Sequence, residues 1–512
     1  MKFLSSSALA LVFSSASVHA QTNGEALRAE LLKNYPSLHY VERYRQLFPD
    51  QVQGSEQLWR GTPIAALDHT SDLYGALAAL QDQHVSLTGP GAGKSETLGI
   101  VLRTSTDNHV VVWRVIDPSV KGVKPGDVVL EVNGQPVAAW LARAATLTFG
   151  GNRRSRAAEA ALKLGIGTPV DHASVGLGAS IKLKVRGQRQ ATRALALPYL
   201  PMTGERAAAL AKALNTRDLP PVIETGGYRV ATIRFGAFAP QYEPEFDAAA
   251  DAAEKLATQT APPHGDMPDD GPMLAGFCAV VRKQLGEINA ITRGTDALLI
   301  DLRGNFGGFG REARLMARAL MSHPLPKSFD VLRGSTPGNL KLVAQPDDPA
   351  CGGIVAPRRM IVWIDAGTRS SGELMAAWLW AAGAVVAGER TIGAGGGLDA
   401  DAAGFALPHL GYRVRSSGNF TFFDMGDTLH AGETGESALV ELVSNDRFAP
   451  SRTRPFALQA AGLRPDLSLP SGEADLQDGG LAAAKHIIAE LARRGLFAGG
   501  SPSIRADHDP SL

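Results

Sequence analysis

The chain contains almost no cysteine, with 2 Cys in 512 residues. Two cysteines cannot make a disulfide-rich scaffold or supply a thiolate zinc site of the usual kind. Whether Cys278 and Cys351 pair with each other stays open from the sequence alone. The sequence has no His-Glu-x-x-His pattern, and His430 and Glu433 are too isolated to indicate a metal site. It therefore implies no metal and no organic cofactor.

Net charge and long apolar runs are also absent. Lys+Arg and Asp+Glu are both 51, so the formal charge is zero, which argues against a nucleic-acid partner. Beyond the first 20 residues, no apolar run approaches the roughly 20 residues that a membrane span needs. We therefore expect no stable membrane insertion. Hydrophobic residues make up 44% of the chain, which also contains 56 Gly, so disorder and a coiled coil are both excluded.

The first 20 residues are predicted to be a secretory signal peptide. Lys2 is followed by an apolar stretch at residues 8–13, and Val18 and Ala20 place small residues at the −3 and −1 positions of a cleavage site. We expect cleavage near Ala20 and a periplasmic or secreted mature protein. The two cysteines could form a disulfide in such an oxidising compartment.

The remaining pattern predicts several structural units. Leucines at a spacing of three to four residues indicate helices early in the chain, and Asn133-Gly134 indicates a hairpin in a strand-rich stretch. Strands and helices then alternate, which is typical of an α/β core. The predicted units are an N-terminal helical segment at 21–94, a β-rich domain at 95–200, a linker helix at 201–226, an α/β core at 227–475 and a C-terminal helix and tail at 476–512.

A glycine-rich run at residues 89–95 imitates a phosphate-binding loop. That motif requires a glycine where Thr88 stands, together with a strand before it and a helix after it. Here a helical pattern precedes the run and a strand pattern follows it. We interpret the run as a flexible loop between domains.

Ser370 follows a predicted strand at residues 361–364 and precedes an amphipathic helix. A serine at such a turn can be exposed, and the free N–H groups of the first helical turn favour a developing negative charge. Ser370 and Glu373 also fit a capping box, in which the serine only stabilises the helix end. This segment alone leaves the nucleophile and the cap as alternatives.

A second strand, at residues 299–302, leads into a turn that contains Gly307 and Gly308. Paired glycines allow the backbone to point its N–H groups outward, because no Cβ is in the way. An oxyanion hole needs this arrangement, although a simple tight turn explains the pattern as well.

Together these segments resemble the tail-specific (C-terminal-processing) and tricorn-like serine peptidase family. The matching motifs stand in the family's order across residues 70–470, at residues 299–308, 368–373, 388–393 and 462–466. Residues 122–127 and 132–137 resemble a PDZ domain. The resemblance implies an α/β fold: a ClpP/crotonase-like catalytic core with an inserted β-rich PDZ-like domain and an N-terminal helical segment.

The resemblance also assigns roles to individual residues. Ser370 matches the nucleophile, and the N–H groups of Ser371 and Gly307 match the oxyanion donors, with Gly308 as the alternate. Processing proteases use a Lys as the base, but Ala394 stands at that position here. Tricorn-like members use a His from an Asp-x-His element, which His84 supplies, so the resemblance implies a Ser–His enzyme.

Two further assignments follow from the family pattern. Gln459 stands at the position of the acid that orients the histidine, unless Asp82, Glu433 or Glu436 reaches the ring instead. Leu98, Gly99 and Ile100 occupy the place where PDZ domains present backbone N–H groups to a peptide carboxylate. We expect a peptide or protein substrate that this segment would hold through its C-terminus. The alternative is a domain that only packs as a lid.

The sequence thus predicts an exported serine hydrolase, a peptidase that cleaves peptide bonds through a Ser–His mechanism with a backbone oxyanion hole. A carboxylic-ester hydrolase could use the same machinery. A non-catalytic protein of the same fold that binds peptides or apolar ligands is the other alternative. A serine-directed fluorophosphonate separates an enzyme from a binding protein.

Overall fold

The structure is a computed structural model, and it describes most of the chain. The described residues are 22–36, 67–89, 95–187, 189–260, 271–321, 324–333, 341–347, 349–353, 359–397, 404–425, 452 and 455–497.

The helices are numbered along the chain. They are α1 (Asn23–Asn34), α2 (Thr70–Ala78), α3 (Val137–Ala144), α4 (Arg153–Gly165), α5 (Pro169–Ser174), α6 (Gly204–Asn215), α7 (Pro244–Thr260), α8 (Gly271–Thr292), α9 (Gly310–Leu320), α10 (Ser371–Ala381), α11 (Glu473–Gln477) and α12 (Leu481–Arg493). Short 3₁₀ turns lie at Ala145–Leu147 and Pro240–Tyr242.

The strands are numbered in the same way. They are β1 (Ser86–Thr88), β2 (Glu96–Thr97), β3 (Ile100–Thr104), β4 (Val110–Val115), β5 (Val128–Val132), β6 (Gln135–Pro136), β7 (Ile166–Gly167), β8 (Ser180–Arg186), β9 (Thr192–Pro198), β10 (Leu200–Pro201), β11 (Val222–Thr225), β12 (Tyr228–Arg234), β13 (Ala297–Asp301), β14 (Lys327–Leu332), β15 (Leu342–Ala344), β16 (Met360–Ile364), β17 (Val385–Gly388), β18 (Gly396–Gly397), β19 (Phe405–Ala406), β20 (Arg413–Arg415), β21 (Asn419–Asp424), β22 (Phe456–Ala457) and β23 (Leu467–Ser468).

A mainly parallel sheet forms the centre of the molecule, with strand order β11-β12-β13-β16-β17-β23. Only β11 runs antiparallel to its neighbour. Every residue of β13 and β16 is buried, as expected for parallel strands that are covered on both faces. Leu298 and Ile300 pack in one apolar cluster with α8, α9 and α10, while Leu299 packs in another with α12. This layering confirms the predicted α/β class.

A disulfide joins α8 to a loop beside the central core. Cys278 and Cys351 are bonded, and both are buried. The pairing that the sequence left open is therefore present in the structure.

The strand-rich part of the chain forms an antiparallel sheet of order β3-β4-β5-β8-β9, and β6 pairs with β5. Its own apolar cluster includes Trp140 of α3 and Leu164 of α4, which cover one face of the sheet. A second antiparallel sheet, of order β15-β14-β21-β18, flanks the central core.

The N-terminal helices α1 and α2 pack together in a third apolar cluster. Strand β1 leaves this cluster and pairs antiparallel with β20, with Leu87 opposite Val414. The turn at residues 81–85 directly precedes β1. This short ladder therefore holds that turn next to β20, a strand from the C-terminal part of the chain. In the described part of the chain, no helix combines the length and apolarity needed to cross a membrane.

Candidate active site

Ser370 lies in the turn between β16 and α10, where the chain reverses from strand to helix. Its backbone has φ 51° and ψ −127°, a conformation that a non-glycine residue adopts only at a cost of about 1–3 kcal/mol. Its side chain makes no hydrogen bond to the helix N-terminus. The capping-box alternative is therefore wrong, and the hydroxyl is free for another role.

His84 contacts this hydroxyl. The distance from His84 Nε2 to Ser370 Oγ is 2.9 Å, across a sequence separation of 286 residues. His84 is buried, in the turn between α2 and β1, and the backbone N–H of Val85 closes that turn on the carbonyl of Asp82. The ring is thus held at hydrogen-bond distance from the serine, the geometry of a nucleophile and its base.

Asp82 lies behind the imidazole ring. Its Oδ1 is 3.4 Å from His84 Nδ1, and it also accepts the backbone N–H of His84 at 2.9 Å. Its Oδ2 accepts hydrogen bonds from the hydroxyls of Tyr35, at 2.9 Å, and Ser417. Burial alone would raise the pKa of Asp82, but the interactions with His84 and Ser417 hold it below its ordinary value. Asp82 is therefore a carboxylate that both faces and anchors the histidine.

The family pattern predicted that Gln459 orients His84. The structure shows no hydrogen bond between these two side chains. The Gln459 side chain is fully buried, and neither its amide oxygen nor its nitrogen has a hydrogen-bond partner among the described residues. Glu433 and Glu436 lie outside the described residues. Of the alternatives that the sequence offered, Asp82 is the one within ion-pair distance of the ring, although at 3.4 Å His84 Nδ1 makes no hydrogen bond of good geometry to it or to another described residue.

The two predicted oxyanion donors differ in whether their N–H groups already make a hydrogen bond. Ser371 begins α10, so its N–H has no partner within the helix. The N–H of Gly307 donates to Asn305 Oδ1 at 2.7 Å and is therefore occupied, contrary to the prediction. The N–H of Gly308 meets no acceptor in the part of the chain that the structure describes. The alternate donor, Gly308, thus fits better than Gly307.

The glycine turn is also held against the nucleophile. The carbonyl of Gly307 accepts the N–H of Phe238 at 2.8 Å, which fixes the peptide unit that carries the Gly308 N–H. The Ser371 hydroxyl donates to the Gly308 carbonyl at 2.7 Å. A Cβ at Gly307 would lie 2.6 Å from Ser370 Cβ, so a larger residue has no room there. The close approach requires glycine.

Glu373 is a site residue that sequence reasoning treated only as a cap partner. It is fully buried, and it accepts hydrogen bonds from the Thr391 hydroxyl at 2.5 Å and from the N–H groups of Gly393 and Ala394 at 2.8 and 2.7 Å. It thereby ties the nucleophile helix to the loop where processing proteases carry their Lys. Burial raises the pKa of Glu373 to about 7, although these donors and the charge of His84 oppose the rise.

This raised pKa predicts a pH dependence of stability. The unfolded carboxyl loses its proton near its ordinary value of 4.5, whereas the folded one keeps it to about 7, so rising pH favours the unfolded chain in that window. Between these pH values the wild-type free energy of unfolding should fall by roughly 3 kcal/mol more than that of Glu373→Gln. Denaturant titrations at several pH values measure both curves, and parallel curves would contradict the prediction.

The predicted peptide-carboxylate site at Leu98, Gly99 and Ile100 has no free donors at its first two positions. The Leu98 N–H donates to the carbonyl of Gly165 at 2.9 Å, and the Gly99 N–H donates to Thr97 Oγ1 at 3.0 Å. Ile100 begins β3, which is buried throughout and packs against α4. Carboxylate capture here is therefore not supported, because the end of α4 already occupies the loop.

The β-rich part instead contacts the turns that carry the site. Arg103 Nη2 lies 2.5 Å from Asp365 Oδ2, and Asp365 Oδ1 accepts the N–H of Gly304, which begins the glycine turn, at 2.7 Å. Arg154 pairs with Glu389 at 2.8 Å. No local sequence pattern predicts these pairs, because they join residues that are distant along the chain.

The model of peptidase family S41 matches residues 275–400. These residues match the sequence pattern of an S41 peptidase domain. The serine-peptidase resemblance drawn from the sequence is thereby confirmed, and the enzyme is of the serine peptidase type. The matched segment contains Ser370 and the glycine turn, whereas His84 and Asp82 lie outside it. None of the curated proteins matches the chain in sequence.

Solved structures share the architecture around this S41 domain. Mature CPAF complexed with lactacystin is 17% identical, and the match has a TM-score of 0.57 and covers 93% of this chain and 98% of that one. Mature CPAF alone has the same identity and TM-score, with 94% and 98% covered. The photosystem II D1 C-terminal processing protease is 16% identical, with 85% and 93% covered and a TM-score of 0.35. At such identities the CPAF likeness shows the fold alone.

Proposed function

We propose that this S41 protein is an exported peptidase that cleaves peptide bonds with Ser370 as nucleophile and His84 as base. The observation that carries the proposal is the 2.9 Å contact between His84 Nε2 and Ser370 Oγ. It supplies the activated nucleophile that a serine hydrolase needs, on a turn next to free backbone N–H groups.

The chemistry follows from these positions. Ser370 Oγ attacks the scissile carbonyl carbon while its proton passes to His84 Nε2, and the N–H groups of Ser371 and Gly308 receive the resulting oxyanion. His84 then gives the proton to the leaving amine, the C–N bond breaks and an acyl-enzyme remains. A water molecule loses its proton to His84 and attacks the ester carbonyl. The proton returns to Ser370 Oγ as the acid product leaves.

Asp82 is the residue that would hold His84 in the productive state. A carboxylate beside Nδ1 keeps the proton on that nitrogen and stabilises the imidazolium that forms during attack. Tyr35 and Ser417 donate to the other carboxylate oxygen, so Asp82 is itself fixed in position.

A cleft beside the oxyanion turn suits a peptide with apolar side chains. It has a volume of about 380 Å³ and begins at Gly307 and Gly308. The residues that line it are mostly apolar. Two of these residues, Tyr242 and Phe309, have large side chains that are 41% exposed. Exposed apolar surface of this kind marks binding sites, which favours a peptide substrate.

Export rests on two independent features. The first 20 residues have the pattern of a signal peptide, and Cys278 is bonded to Cys351. Disulfides persist mainly in oxidising compartments outside the cytosol. Both features support a periplasmic or secreted protein.

The experiment that tests the function as a whole is labelling of the wild-type chain by a fluorophosphonate, followed by matched assays on a peptide and an ester substrate. Labelling with peptide turnover supports the proposal. Ester turnover alone would make the protein an ester hydrolase, and absence of labelling would make it a binding protein.

Asp82→Asn and Gln459→Met should have opposite outcomes, because only Asp82 faces the imidazole. Asp82→Asn removes the carboxylate and favours the wrong tautomer, so kcat should fall roughly 10²–10⁴-fold. Gln459→Met removes a buried amide that has no hydrogen-bond partner among the described residues, and it keeps the side-chain volume. It should retain activity and raise the free energy of unfolding by about 1 kcal/mol.

Peptide turnover and denaturant unfolding of both variants check this pair. If Gln459→Met lost activity while Asp82→Asn kept it, the orienting role would belong to Gln459.

A further inference from the structure

Arg369, the residue immediately before the proposed nucleophile, is a buried cation whose side chain donates no hydrogen bond to any residue that the structure describes. Its side chain is only 7% exposed, and its guanidinium lies 4.4 Å from the centre of the Phe306 ring. Within the described ranges, no carboxylate or carbonyl accepts a hydrogen bond from this guanidinium. A buried charge left in this state is costly, because the protein does not replace the lost water.

Arg154 also has a buried donor atom without a hydrogen-bond partner in the described part of the chain. Its Nε donates to Glu389 at 2.8 Å and its Nη2 donates to the carbonyl of Thr104 at 2.6 Å. Its Nη1 is buried and has no acceptor among the described residues, as is also true of Arg369 Nε. Two separate arginines thus each leave a buried N–H group unsatisfied.

Both arginines line one small cavity at the boundary between the β-rich part and the nucleophile turn. It has a volume of about 30 Å³, and its wall includes β3, α4, Phe306 and the turn that leads to Ser370. A water molecule needs at least about 10–15 Å³ of such volume, so the cavity holds one or two particles of that size. It has no room for an amino-acid side chain.

The charges around the cavity favour an anion over water. Three cations, Arg103, Arg154 and Arg369, line it together with a single carboxylate, Asp365. Asp365 is paired with Arg103, and Arg154 is paired with Glu389, which leaves Arg369 without a contacting counterion among the residues described. Burial lowers the pKa of Arg369 to about 10, and the more distant charges of Glu159, Asp365 and Glu373 only partly oppose this.

We propose that this cavity binds one compact monovalent anion of halide size between Arg369 Nε and Arg154 Nη1. The anion accepts both unsatisfied N–H groups and neutralises Arg369. It also links the nucleophile turn to α4, because Arg369 directly precedes Ser370 and Arg154 lies in the first turn of α4. The site is independent of the Ser–His chemistry proposed above.

The direct test is crystallography of the wild-type protein in sodium bromide, read by anomalous scattering. We expect a bromide peak between the two guanidinium groups. No peak at that position, with water density instead, would overturn the proposal. This measurement requires no variant and no activity, so its outcome is separate from that of the proposed function.

A solution test compares chloride with gluconate, an anion too large for the cavity, at equal ionic strength. Saturating chloride should raise the wild-type Tm by roughly 2–5 °C over gluconate, because the ligand binds only the folded chain. Arg369→Met should lose this shift. The control Arg229→Met, in which an exposed arginine on β12 is removed, should keep it.

Equal chloride responses in the wild type and Arg369→Met would contradict the proposal. If Arg369→Met does not fold, Arg154→Met serves as the second variant and should also lose the chloride shift.

Discussion

Ser370→Ala should abolish fluorophosphonate labelling and lower peptide turnover on the order of 10⁶-fold. In the part of the chain that the structure describes, the Ser370 hydroxyl contacts His84 Nε2 and stands on the turn beside the N–H groups of Ser371 and Gly308, which is the reason for this expectation. The backbone geometry of the site should survive, since alanine differs from serine only by the missing oxygen. Mass spectrometry of the labelled chain, with turnover measured on the same preparations, checks the result.

Ser371→Ala is the matched control for this change. The Ser371 hydroxyl donates to the Gly308 carbonyl, and its N–H remains in the variant, so most labelling should persist. If labelling instead disappeared in Ser371→Ala and remained in Ser370→Ala, the nucleophile would be Ser371.

His84→Ala should lower kcat by several orders of magnitude, roughly 10⁴–10⁶-fold, because the hydroxyl loses the base at 2.9 Å. The oxyanion donors would remain, so turnover should stay above that of the uncatalysed reaction. Initial rates with a peptide substrate measure the loss.

His69→Ala controls for the removal of any histidine from this segment, since His69 is exposed at the start of α2 and should be dispensable. Added imidazole should restore part of the activity of His84→Ala by entering the vacated space. Near wild-type turnover in His84→Ala would overturn the mechanism even with Ser370 as the nucleophile.

Short motifs were predictable from the sequence because each describes one local turn. The strand before Ser370 and the helix after it are visible as apolar patterns, and the paired glycines at 307–308 indicate an outward-facing backbone. His84 is different, because it lies 286 residues from Ser370 and no local pattern connects them. Only the family resemblance linked the two residues.

The predictions that the structure does not support concern the hydrogen-bond partners of individual polar groups. Gln459 stands at the family position of the acid, but a hydrogen bond depends on side-chain direction, which spacing does not report. Gly307 and Gly308 are equivalent in sequence, and only the position of the Asn305 amide oxygen distinguishes them. The Leu98 N–H is occupied because the end of α4 lies against it, and this is a tertiary contact.

Glu373 was visible in the motif but was assigned to the wrong partner. A glutamate three residues after a serine at a helix start fits a cap, and local spacing supports nothing more distant. The structure instead directs it to Thr391, Gly393 and Ala394, across the site. Burial raises the pKa of Glu373, and the burial of a single side chain cannot be derived from a motif.

The positive φ at Ser370 places two opposed requirements on one residue: a stable turn favours glycine, whereas a reactive hydroxyl requires serine. At φ 51° a glycine would avoid the penalty that a side chain meets there, so the residue that best stabilises this turn is an inactive one. Selection for robust folding alone would therefore remove the hydroxyl and leave the scaffold intact. A serine at this strained position is what the catalytic role proposed above requires. A glycine at the same place in a related chain would indicate a lineage that has given up catalysis and kept the fold for binding.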